Sequence, residues 1–297
     1  MHLGLLPPKQ VSTAFLVSPP ERTPVVGRKE ESLRLHQAIR NRESLLICGP
    51  AGIGKTTLVA KVFAELPEVT ARAIITVDSA NGLQPFLRNL VHKLHDAGDA
   101  TLRKQLRAEG AGRGRFRGWL KNLSTSRLKG AIYRSMQAAN YWVFLDHFPR
   151  VTLAVAKVIR DLIWMRHTPV YLVVRGSGRE EAGQVAKLYW SDRQRLLLQP
   201  LDESSARDLL ELCIRRFGLA DLDLDDFRRR VLLMSGRNPG ALVKMCELAA
   251  EPRYQQGSQI KIKLIHIDNL MSLNGRDMQS RAVKGGRVRD RETYGSR

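Results

Sequence analysis

Gly49-Pro50-Ala51-Gly52-Ile53-Gly54-Lys55-Thr56 matches the phosphate-loop pattern G-x-x-x-x-G-K-[ST] at every fixed position, and Thr57 leads on from it. Each residue type there has a physical task. Gly49, Gly52 and Gly54 carry no Cβ, so the chain bends tightly and its N–H groups come close to a polyphosphate. Pro50, Ala51 and Ile53 complete the loop. Lys55 is placed to bring a positive charge to the β- and γ-phosphates, and Thr56 to offer a hydroxyl to Mg²⁺. The flanks decide whether such a match is real. Ser44-Leu45-Leu46-Ile47-Cys48 is an apolar run of strand length, and Thr57 to Ala64 has helical apolar spacing. Strand, glycine loop and helix are the required order, because the helix start adds its dipole to the anion site.

Further strands read outward from this centre. Ala73-Ile74-Ile75-Thr76-Val77, Tyr141-Trp142-Val143-Phe144-Leu145, Val170-Tyr171-Leu172-Val173-Val174 and Arg195-Leu196-Leu197-Leu198 are short apolar runs separated by helical stretches. The alternation predicts an α/β fold with a doubly wound parallel sheet over residues 23–200. Residues 1–22, with Pro7, Pro8, Pro19 and Pro20, read as an extended arm. Residues 201–252 read as a small helical lid. Asp202 is a helix cap, Gly218 a stop, and Asn238-Pro239 a cap with a first-turn proline. Over 253–297 the apolar alternation of Ile260 to Ile267 predicts a strand, followed by a basic tail that should be disordered alone.

Composition narrows the functional class. The chain has 297 residues and 49 Lys plus Arg against 29 Asp plus Glu, a net charge of +20. That excess points to a polyanionic partner, nucleic acid before a membrane surface. Cys48, Cys213 and Cys246 are too scattered for a disulfide framework or a zinc site and read as reduced core residues of a cytoplasmic protein. No apolar run reaches membrane-span length, and the N-terminus lacks the form of a secretion signal.

The metal side of a nucleotide needs a carboxylate besides Thr56. Tyr141 to Leu145 delivers Asp146 at the strand's C-terminal end, where ligands of such sheets bind, so Asp146 is the expected Mg²⁺ residue. Val25-Val26-Gly27-Arg28, the phosphate loop, the Asp146 strand, a polar-tipped strand and a helical lid, taken in that order, resemble the AAA+ and STAND-type P-loop ATPases over about residues 23–250. The likeness is strongest to the origin-recognition-like and STAND-like members.

That resemblance implies several roles. Val25, Val26 and Gly27 would line the adenine pocket. Ser177 or Arg175 would be a polar sensor near the γ-phosphate, and Arg193 or Arg195 would reach a neighbouring subunit's nucleotide. Pro239, within Gly236-Arg237-Asn238-Pro239-Gly240, corresponds to the lid proline of STAND proteins. It also implies ATP and Mg²⁺ as ligands and a homo-oligomer. Hydrolytic members commonly place Glu after the strand-end Asp; here it is His147. Imidazole can act as a base, so His147 predicts slow or partner-stimulated hydrolysis.

Residues 98–130 form a basic insert. Arg103, Lys104, Arg107, Arg113, Arg115, Arg117, Lys121, Arg127 and Lys129 are accompanied between 103 and 129 by a single acid, Glu109. Phe116 and Trp119 interleave with them, which suits phosphate contacts and base stacking. The sequence thus predicts a DNA-associated ATPase of transposition or replication type. A STAND-like signalling switch acting through protein partners is the alternative, and a small-molecule kinase a distant third.

Overall fold

The computed structural model describes residues 25–77, 82–110, 114–146, 151–165, 167–176 and 183–271. They divide into two compact units that part between Gln199 and Pro200.

The first unit is built on five parallel strands, β1 (Leu45–Cys48), β2 (Ile74–Val77), β3 (Trp142–Leu145), β4 (Val170–Val173) and β5 (Arg195–Leu197), in spatial order β2-β3-β4-β1-β5. The register sets Leu46 beside Leu172 and Arg195, and Val143 beside Val170. A strand turns successive side chains to opposite faces, and this sheet is covered on both. Leu45 and Ile47 join the apolar stripes of α1 (Lys29–Arg40) and α2 (Lys55–Ala64), among them Leu35, Ile39, Leu58 and Val62. Leu46 and Cys48 turn the other way, to a larger core that includes α4 (Leu83–Asp96) and α8 (Leu153–Arg160). A short α3 (Glu68–Arg72) leads into β2. Fully apolar strands are what a parallel sheet buried on both faces requires, so the predicted doubly wound sheet is what forms.

The basic segment is folded onto this core. It forms α5 (Ala100–Ala108), α6 (Phe116–Asn122) and the start of α7 (Thr125–Ala138), and Leu102, Leu106, Leu120 and Leu128 enter the larger core. Asp99 organises the segment. Its carboxylate accepts from the Leu102 amide at 2.6 Å, the Ser135 hydroxyl at 2.7 Å and the Tyr141 hydroxyl at 2.9 Å. It therefore caps α5 while tying that helix to α7 and to the approach of β3. Burial, then the Asp99 bond, pushes the Tyr141 phenol well above its ordinary range.

Phe116 corrects the stacking expectation. Its ring is 4% exposed and lies flat on His95, centroids 3.8 Å apart, so it has no face for a base. Trp119 is half-buried and donates its indole N–H to Glu109 at 2.6 Å. Glu109 also accepts from Gln105 and Arg127, and these donors, Trp119 foremost, hold its carboxyl below the usual range.

The second unit is helical, with α9 (Glu203–Arg216), α10 (Asp225–Met234) and α11 (Pro239–Ala249). Asp202 caps α9 through the Ser205 amide at 2.8 Å, and Gly218 follows its end at φ 65°. Asn238 caps α11, accepting from the Gly240 and Ala241 amides at 3.0 and 3.3 Å, with Pro239 as first helical residue. The strand predicted over Ile260 to Ile267 is mostly helix. Only Gln259–Ile260 is extended, paired antiparallel with Gln255–Gln256, and residues 262–271 are helical. Ile262, Ile265 and Asn269 are buried at helical spacing. A short alternating apolar run satisfies either period, and packing decides between them.

Candidate functional site

The phosphate loop leaves the C-terminal end of β1 under close constraint. Gly49 has φ 149°, and a Cβ there would meet Ile53 Cγ2 at 2.9 Å and the Leu198 carbonyl at 3.0 Å. Any side chain would force the loop away from the sheet. The Gly49 carbonyl accepts from the Gly176 amide at 3.1 Å, which ties the exit of β4 to the loop's first residue. Ile53 is buried beneath the loop, while Pro50, Ala51 and Gly52 are exposed above it. Gly54, at φ 94°, precedes α2, and no side chain caps that helix. Amides at a helix start attract an anion, and the space a Cβ of Gly54 would enter is open.

Lys55 and Thr56 begin α2, followed by the exposed Thr57. The Lys55 ammonium donates to the Gly49 carbonyl at 2.6 Å and to the Pro50 carbonyl at 2.9 Å. It is folded back onto its own loop at the mouth of the cradle. Asp146 stands at the end of β3, 3% exposed, its amide bonded to the Val77 carbonyl. β4 lies between β1 and β3, yet the Thr56 hydroxyl donates to Asp146 Oδ2 at 3.2 Å. Residues 90 positions apart therefore bring a hydroxyl and a carboxylate together beside the lysine. Hard oxygen donors of this kind suit Mg²⁺, which keeps most of its waters and takes a few protein and phosphate oxygens. Open cradle, cation and paired oxygens together fit a magnesium-bound polyphosphate.

Arg28 is a contributor for which the sequence carried no role. It is 6% exposed, and its guanidinium donates to the Ile53 carbonyl at 3.3 Å, the Gln199 carbonyl at 2.6 Å and Glu31 at 2.7 Å. One side chain thus ties the underside of the phosphate loop to the last residue of the first unit. Val25 and Val26, both half-buried, lie just before it, with Gly27 at φ 65° in between.

Arg193 lies elsewhere. It sits on a short 3₁₀ turn (Asp192–Gln194) at the start of β5, the end of the sheet opposite the phosphate loop. It takes no part in the site of its own chain. Arg195 donates to the Tyr189 carbonyl at that same end. Arg175 is exposed at the exit of β4, next to Gly176. Pro239 belongs to the second unit. His147, Ser177 and Arg113 lie outside the described residues, as do the N-terminal arm and the tail after residue 271.

Comparison with known proteins agrees with this geometry. The profile of the AAA ATPase domain matches residues 24–223. No curated protein matches the sequence. Among solved structures, a Walker-type ATPase of Pyrococcus abyssi superposes with a TM-score of 0.57 at 13% identity, covering 88% of this chain and 77% of that one. The Orc1 protein of Aeropyrum pernix, solved in complex with DNA, gives 0.52 at 15% identity, with 86% and 68% covered. Cdc6p of Pyrobaculum aerophilum gives 0.52 at 12%, with 79% and 64% covered. At such identities the superpositions show a shared fold. The profile spans well over half of the chain and includes the phosphate loop and Asp146, so the chain belongs to the AAA ATPase domain family.

Proposed function

We propose that the protein is a nucleotide-switched, DNA-associated ATPase that binds ATP with Mg²⁺ and hydrolyses it slowly or on stimulation by a partner. The observation that carries the nucleotide part is the 3.2 Å contact of Thr56 with Asp146 beside the back-folded Lys55. When bound, the metal–nucleotide pair supplies the phosphoanhydride and the charge that neutralises its oxygens.

The chain's own residues do the rest. Lys55 would donate to charged phosphate oxygens, a stronger class of hydrogen bond than those to carbonyls. Thr56 and Asp146 would hold the metal through their oxygens. Val25, Val26 and Gly27 enclose the base. Pro239 would be a nucleotide-binding residue, as its likeness to the STAND lid proline implies. Ser177 or Arg175 senses the terminal phosphate. His147 takes the proton of the attacking water in place of the customary carboxylate, which limits the rate. Arg193, at the far end of its own sheet, serves a nucleotide only in trans, in a homo-oligomer.

The nucleic-acid part rests on charge. Arg103, Lys104, Arg107, Arg117, Lys121 and Arg127 are all exposed on α5, α6 and α7, within a chain of net charge +20. Such contacts are to phosphate and carry little sequence preference. Titrating labelled DNA with the protein and a non-hydrolysable ATP analogue, at about 50 and 200 mM salt, tests the reading. Nucleotide-dependent binding that falls roughly 10³-fold between those salts is expected. Absence of DNA binding at the lower salt removes it and leaves a switch acting through protein partners. Several turnovers per second by the purified protein alone contradict the role given to His147.

A further inference from the structure

Glu109 is the single acid between residues 103 and 129, and three helices each send it a donor. Gln105 of α5 donates through Nε2 to Oε1 at 3.0 Å. The Trp119 indole N–H of α6 and the Arg127 guanidinium of α7 both donate to Oε2, each at 2.6 Å. Arg127 lies in the first turn of α7, the positive end of a helix of 14 residues. A guanidinium, an indole N–H and an amide N–H that converge on one point make a seat for an anion, and a phosphate oxygen accepts from the same groups as a carboxylate.

The anion now in that seat is a side chain at the surface. Glu109 follows the last residue of α5; its side chain is 28% exposed and that of Arg127 is 55%. An ion pair so exposed contributes little to stability, so the carboxylate leaves at small cost. There is room beside it. Glu109 and Trp119 border a concavity of about 460 Å³ with Arg115 and Gly118, and a Cβ on Gly118 would meet only open space. The surrounding charge selects the ligand. Arg103, Lys104, Arg107, Arg117 and Lys121 are exposed on α5 and α6. A free anion would have to compete with a carboxylate tethered at high effective concentration. A polyanion engages the whole set of cations at once and gains from the counterions it releases.

We propose that Gln105, Trp119 and Arg127 form a site for one backbone phosphate of a nucleic acid, and that the Glu109 carboxylate fills this site in the free protein and is displaced on binding. The inference rests on the nucleic-acid reading above and deepens it. The one acid of the basic segment becomes a brake on that segment's affinity.

The experiment titrates a labelled DNA duplex by fluorescence anisotropy, at about 50 and 200 mM salt, with the full chain and with E109Q, R127Q and E109Q/R127Q; ATP calorimetry runs alongside. E109Q keeps the side chain's size and an acceptor oxygen but loses the charge. It should bind DNA roughly fivefold more tightly, the upper range for an exposed ion pair. Its salt slope should steepen by about one, and its ATP binding should not change. In the R127Q background the same substitution should gain little, because the phosphate's charged donor is gone. An affinity of E109Q at or below wild type overturns the inference and leaves DNA association in place, with Glu109 a staple of three helices. The full gain in the R127Q background overturns it too, since only the general field would then have changed. Failure of both the wild type and E109Q to bind at the lower salt brings down the underlying reading as well.

Discussion

Single side chains set the geometry of the nucleotide site. Lys55 and Thr56 were legible in the sequence because their chemistry is local: the loop fixes them within a few residues, and the flanking strand and helix fix the loop. Asp146 was legible for a related reason, since an acid closing an apolar strand emerges at the ligand-binding end of a parallel sheet. Arg28 was not. Its carbonyl partners lie 25 and 171 residues away, and nothing in a one-dimensional pattern reports a contact made by chain closure. Replacing it tests the assignment. R28M should lower stability by about 3 kcal/mol, the scale for charged hydrogen bonds removed from a buried place. It should also weaken ATP binding, because the Ile53 carbonyl loses its anchor. Denaturant unfolding with and without ATP measures both, and a variant equal to wild type in each would show that the guanidinium only fills space.

Elements carry the next level, and here the sequence was most informative where one period dominated. The strands could be read because runs such as Leu45 to Cys48 are apolar throughout, as burial on both faces demands. Helix starts were readable at Asp202 and Asn238 because capping is a short-range bond. The sequence failed where the outcome depended on packing. Phe116 read as an aromatic among cations, but α6 turns it onto His95. Ile260 to Ile267 read as a strand, and yet from Ile262 onward the chain is helical and buries Ile262 and Ile265. N238A should cost the helical unit about 1 kcal/mol, the usual value of a lost cap, seen as a lower denaturation midpoint. D99A should cost more, about 3 kcal/mol, because it strips a buried network of its shared acceptor and leaves the Ser135 and Tyr141 hydroxyls and the Leu102 amide unsatisfied. Proteolysis of D99A should begin within the 99–138 segment, and uniform resistance there would contradict its organising role.

At the scale of the whole molecule the proposed function draws on two kinds of surface. One is the glycine cradle at the carboxyl end of the sheet, shaped for a polyphosphate with its metal. The other is the spread of cations that gives a net charge of +20, which we propose meets a longer polyanion in a salt-sensitive way. Among the described residues no helix is long and apolar enough to cross a membrane. Everything in the functional account depends on the cradle, so its occupancy is the decisive quantity. Isothermal calorimetry of ATP with Mg²⁺ should show one saturable site per chain, weakened at least tenfold by removing Mg²⁺ and lost in K55A. An absence of heat from the wild-type protein, or an undiminished signal from K55A, would contradict the account at its base.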